Sequence, residues 1–199
     1  MSLNKTTGYH ESSAMPARVR DILGRLKVSV HQNVYEADFE YGTQPLRWEP
    51  VIVGTGSVAA IPSSGGVRMR VGNSQGDVAL RQSRPYHRYQ PGKTMFMATG
   101  CQLGVATAGQ VQRVGFFDDQ NGVFFEQSIP TNTNPFGMYA VVRSDVNGVV
   151  NETRVGLDQW NGDQNNVKLL DFNRIQMFWI EYGWYGAGAT RFGFWIDGV

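Results

Sequence analysis

From Trp48 onward, apolar and polar residues alternate in short runs broken by glycine, asparagine, aspartate and proline. Alternation with a period of two is the mark of a strand with one face buried. The pattern predicts strands over residues 49–53, 67–71, 78–82, 93–99, 110–117, 122–128, 137–143, 149–155, 166–169, 175–182 and 190–196. Residues 67–71 are the clearest case, with Val67, Met69 and Val71 on one side and Arg68 and Arg70 on the other. Residues 122–127 and 175–182 are almost continuously apolar, which predicts strands covered on both faces. The breaks are turns with a mechanism. Asp118-Asp119-Gln120-Asn121-Gly122 and Asp145-Val146-Asn147-Gly148 are hairpin signals, and residues 183–188 supply a glycine-rich turn for the last pair. So many short strands at roughly even spacing predict an all-β, antiparallel, two-sheet sandwich of jelly-roll type.

The start of the chain follows a different pattern. Residues 1–13 are polar and aperiodic and read as an extended arm. Residues 14–27 are the one good helix candidate: Met15, Val19, Ile22, Leu23 and Leu26 fall on a single face. Pro16 suits a first helical turn and Ser13 a cap. The opposite face carries Arg18, Arg20, Arg25 and Lys27, with Asp21 the single acid among them. So short a helix must dock to be stable. Either a partner receives its apolar stripe or its own sandwich does. For a partner, the docking residues would be Met15, Val19, Ile22 and Leu26, with Arg18 and Arg25 beside them. Residues 31–50 read as a linker with one strand over 34–41. The predicted organisation is an arm, helix and linker over 1–48 and a sandwich over 49–199. Asp197-Gly198 is a turn signal that a further strand would normally follow. The expectation is a domain completed by a neighbouring chain or by more polypeptide.

Composition sharpens this picture. Charged residues make up 18% of the chain, below the roughly 25% of ordinary domains. Less surface is reserved for water, which predicts coverage by partners. The formal net charge of +1 provides no bulk field for nucleic acid or a membrane surface. The single cysteine, Cys101, excludes an intrachain disulfide framework, and its apolar surroundings predict an inert thiol. The N-terminal residues hold no apolar signal core, and no run suits a membrane helix, so synthesis in a cytoplasm is expected.

Candidate chemistry is sparse. Glu126, Glu152 and Glu181 sit on strands singly, without the clustered acidic motif of a glycosidase, and such carboxylates usually pair with arginine. Asp118, Asp119 and Asn121 do not fit an EF-hand, because Phe117 would occupy its first ligand position. Acids capping backbone amides explain that loop better, and calcium shared with a second loop is the alternative. His10, His31 and His87 are isolated, and no cofactor motif is present. The densest polar-aromatic segment is 81–93, where Arg84 and Arg88 are candidates for bidentate contacts with acids of a neighbour. Among the tryptophans, Trp179 and Trp195 lie in apolar strands and read as core or interface. Trp184 and Tyr185, in the turn, are the candidates for glycan contact.

The segment Ser83-Arg84-Pro85-Tyr86-His87-Arg88-Tyr89-Gln90-Pro91-Gly92-Lys93 resembles one found in a family of tailed-bacteriophage virion proteins. So do, in order, residues 113–119, 121–126, 142–144 and the terminal Trp184-x-Gly186-x-Gly188-x-x-Arg191-Phe192-Gly193-Phe194-x-Ile196-Asp197-Gly198. The resemblance covers about residues 80–198. It implies a structural component of the virion, such as a capsid decoration, head-spike or tail-associated protein. Its partners would be capsid, portal or tail proteins and copies of itself. It implies no catalytic residue and no cofactor. The alternative from a different class is a lectin-like module for host-surface attachment. An enzyme acting on polysaccharide is the third reading.

Overall fold

The structure is a computed structural model of the chain, and it describes residues 32–88, 94–162, 164–183 and 189–196. The expected arm and helix, with the docking residues Met15, Arg18, Val19, Ile22, Arg25 and Leu26, lie outside the described residues. The all-β prediction holds. The strands are β1 (Trp48–Val53), β2 (Ser57–Ile61), β3 (Gly66–Arg70), β4 (Val78–Ser83), β5 (Met95–Cys101), β6 (Gln112–Phe117), β7 (Gly122–Gln127), β8 (Met138–Val146), β9 (Val149–Gly156), β10 (Gln176–Tyr182) and β11 (Thr190–Trp195). Every pairing among them is antiparallel.

Three segments correct the sequence reading. β2 was not expected, because Ser57-Val58-Ala59-Ala60-Ile61 is alanine-rich and has weak strand propensity. Residues 166–169 form no strand. A single helical turn, α1 (Gln164–Val167), overlaps their start, and Val167 and Leu170, three apart, both reach the core. Residues 34–41 also form no strand, although their exposure alternates as a strand's would. Tyr35 and Phe39 pack edge-on against Trp48 at 5.5 and 5.7 Å. The alternation comes from those ring contacts and not from a ladder.

The chain divides into two compact units, Met1–His87 and Arg88–Val199. The division falls well after the expected boundary at 48, so β1–β4 belong with the first unit and not with the sandwich. In the first unit β1 pairs with β4 and β2 with β3, as two separate two-stranded ladders. None of its described residues is fully buried.

The second unit is a true sandwich. One sheet is the meander β6-β7-β8-β9 and the other has the order β11-β10-β5. The hairpin turns behave as their residues demand. Asn147 and Gly148 both have positive φ, 57° and 80°, as a two-residue turn matched to strand twist requires. Between β6 and β7 the Asp118 carboxylate instead accepts from the amides of Gln120 and Asn121 at 2.8 and 2.6 Å and holds a four-residue loop. The core lies between the sheets. Phe125 of β7 packs on Phe178, Phe192 and Phe194 of the facing sheet at 5.0–5.3 Å. Met138, Leu157, Val167, Phe172 and Ile180 complete the buried cluster.

Candidate functional site

With Phe125, Phe178, Phe192 and Phe194 inside, strand alternation fixes what points outward. On the four-stranded sheet the outward set includes Arg113, Gly115, Phe124, Glu126, Val141, Arg143, Glu152 and Arg154. Phe124 lies against Gly115 of the edge strand, where an added Cβ would fall 2.6 Å from the Phe124 Cα. Glycine is required at that point. The guanidinium groups of Arg113 and Arg143 then flank the Phe124 ring, at 5.4 and 5.0 Å from its centre.

Over this ring runs a chain of ion pairs. Arg113 Nε donates to Glu126 at 2.8 Å, and Arg154 Nε to the other Glu126 oxygen at 3.0 Å. Arg154 also pairs with Glu152, which accepts from Arg143 at 2.7 Å. Burial acts to raise the Glu152 carboxyl, but the Arg143 hydrogen bond and the charges of Arg154, Arg143 and Arg113 outweigh it and hold it below the usual range. The Arg154 guanidinium is held above its usual value, first by its hydrogen bond to Glu126. A general acid needs a carboxyl kept protonated near neutrality. The environment of Glu152 does the reverse, and Glu126 bridges two arginines.

The outward face of the three-stranded sheet is built differently. Cross-strand register places Phe96, Glu181 and Arg191 in one row, Ala98, Trp179 and Gly193 in the next, and Gly100, Met177 and Trp195 in the third. The Trp179 ring lies on Gly193, where a Cβ would sit 2.3 Å from its Cε2 and Cζ2. Phe96 is nearly parallel to Trp179, with centres 6.3 Å apart and planes at 26°. Trp195 stands at 65° to Phe96, 6.1 Å away. Arg191 Nη1 donates to the buried Glu181 carboxylate at 3.2 Å. Phe96, Ala98, Gly100, Met177 and Arg191 are exposed. The sequence pattern places Trp179 and Trp195 with Phe178 and Phe194 as core or interface. The structure separates them: Phe178 and Phe194 enter the core, and the two tryptophans lie on the opposite side of the sheet. Trp160 packs on Phe194 at 5.8 Å and donates its indole N–H to Val155 O.

Arg84 is exposed and donates from Nε to Pro45 O at 2.7 Å, which ties the end of β4 to the segment before β1. Arg88 is exposed and belongs to the second unit. Trp184 and Tyr185 lie outside the described residues. Within the first unit, Arg81 sits between Phe39 and Trp48, 4.3 and 4.4 Å from their ring centres, and donates to Thr43 O. Cys101 points into the second unit's core, and burial pushes its thiol up to about 12. Among the described residues no group of histidine, cysteine and acidic side chains could hold a metal, and no helix is long and apolar enough to cross a membrane.

No protein-family model, no curated protein and no solved structure matches the chain.

Proposed function

We propose that the chain is a structural subunit of a tailed-phage particle. It acts through contacts with other virion proteins (capsid, portal or tail) and with copies of itself. The observation that carries this reading is the first unit, whose described residues form strand ladders with no fully buried side chain among them. In β1 three successive apolar residues, Val51, Ile52 and Val53, are 38%, 47% and 50% exposed. A two-stranded ladder is marginal in water until a hydrophobic face is covered, and runs of exposed apolar residues mark interaction surfaces. A subunit whose neighbours cover these exposed side chains accounts for both. The residues that carry the family resemblance also fall on framework positions. They include Gly115 and Gly193, which seat the two outward aromatics, and Arg113, Glu126 and Arg143 of the ion-pair chain. Such positions fit a structural role.

The test is incorporation into particles, followed by imaging with the chain labelled. Val51→Asp and Val53→Asp, and separately deletion of residues 1–30, should abolish incorporation. The second unit should stay folded, as judged by its cooperative unfolding transition. Incorporation at the unmodified level by both variants would overturn the reading.

A further inference from the structure

We infer that the outward face of the β5-β10-β11 sheet is a binding site for a neutral saccharide, built from Phe96, Trp179 and Trp195. The inference is independent of the proposed structural role.

Three small residues make the face flat. Ala98, Gly100 and Gly193 occupy positions where larger side chains would raise ridges. Trp179 can lie down on the sheet because Gly193 has no Cβ, and the Phe96 ring runs nearly parallel to it, at 26° with centres 6.3 Å apart. Trp195, steeply inclined to Phe96, is a wall at the edge of that floor. A flat π surface carries negative potential on its face. The C–H groups on one side of a pyranose ring are weakly positive and present a matching plane. At the end of the floor, Arg191 is exposed and oriented by Glu181. A guanidinium has five N–H donors, and the Glu181 contact engages one, so donors are left for ring hydroxyls.

Charge and area select among occupants. Among the described residues the three rows of this face hold one cation, Arg191, and one anion, Glu181, and the two pair. A nucleic acid stacking on aromatics needs a basic groove along its backbone, which this face does not provide. The three rows by three strands span roughly 10 Å by 14 Å between Cα positions. That footprint is far below the ~800 Å² per partner of a standard protein interface, yet it accommodates one or two sugar rings. Charge and size together favour a neutral oligosaccharide.

The experiment is a titration of the full-length chain with cellohexaose, maltohexaose and chitohexaose, followed by the five indole N–H signals in ¹⁵N-resolved NMR. At least one sugar should give saturable shifts at Trp179 and Trp195, with Kd of about 0.1–1 mM. Trp195→Ala should weaken that binding at least tenfold. Phe96→Ala should do the same, and because Phe96 is exposed on an edge strand it provides the second variant if Trp195→Ala fails to fold. The absence of any saturable shift up to about 20 mM sugar overturns the proposal. So does binding that survives both variants, or that is lost on Trp184→Ala alone, since the turn would then carry it. Two control outcomes also overturn it: an oligothymidylate shifting the same indoles more tightly than any sugar, or a concentration-dependent dimer that buries them.

Discussion

The two outward faces of the sandwich share one device and finish it in opposite ways. Each lays an aromatic side chain over a glycine of an edge strand, Phe124 on Gly115 and Trp179 on Gly193. On the larger sheet, arginines then close over the ring, and a chain of carboxylates ties those arginines together across all four strands. Phe124 and Val141 are fully buried although they point away from the core. Among the described residues, nothing comparable crosses Trp179 on the smaller sheet. The same aromatic–glycine contact at an edge strand serves in either setting. What lies above the ring decides whether the face is sealed or available.

The largest expected effect comes from deleting each ring. Phe124→Ala should cost about 3–5 kcal/mol in urea unfolding, as for a buried phenylalanine, and Trp179→Ala less because its side chain is only partly buried. Equal losses would erase the distinction between the faces. Next come the glycines. At Gly115 a Cβ would meet the backbone of Val123 and Phe124 within 2.6 Å, so Gly115→Ala should cost about 2–3 kcal/mol. At Gly193 it would meet the far end of the Trp179 ring, which can tilt away. Gly193→Ala should therefore cost less than Gly115→Ala while altering the Trp179 fluorescence.

Glu126→Gln should follow at about 2 kcal/mol. It leaves Arg113 and Arg154 without their shared carboxylate, and their partial exposure reduces the penalty of a fully buried broken pair. The smallest effect is on pH dependence. Glu152 has a depressed pKa when folded, so the unfolded chain takes up its proton first. Its contribution is fully present above the ordinary carboxylate value and disappears as pH falls through the folded value. Glu152→Gln should flatten the acid limb of a stability–pH profile and leave the profile near neutrality unchanged in slope.

Much of this architecture is legible in the residues. Hairpin signals at 118–122 and 145–148 define the meander, and the register follows from them. With Phe117 opposite Gly122, counting back places Arg113 opposite Glu126. The ion-pair chain could have been found that way, although its five members are spread over four strands and share no local motif. Facing was harder to read. In Met177-Phe178-Trp179-Ile180 every residue is apolar, so alternation is silent, and only the partner strands reveal that Phe178 is inside and Trp179 outside. The glycines were the missed signal, since Gly193 opposite Trp179 leaves room for a ring on that side alone. Residues 166–169 misled because Val167, Leu169 and Leu170 satisfy a strand pattern as readily as one helical turn. The extent of the first unit was hidden for a different reason. Its strands alternate like those of a sandwich, and nothing in the alternation reports that none of its described residues is fully buried.

The topology also sets an order of events as the chain is synthesised. In the meander each strand pairs with its neighbour in sequence, so β6–β9 can form while the last residues are still being made. β5 has no such neighbour. Its partner is β10, in pairs running from Cys101–Gln176 to Met95–Tyr182, and β5 must wait for the rest of the unit to emerge. A strand that waits with free amides and an exposed phenylalanine is open to wrong partners. Misassembly of this protein at high expression should therefore begin at β5, and a slow final step in its refolding should report the closure of that long loop.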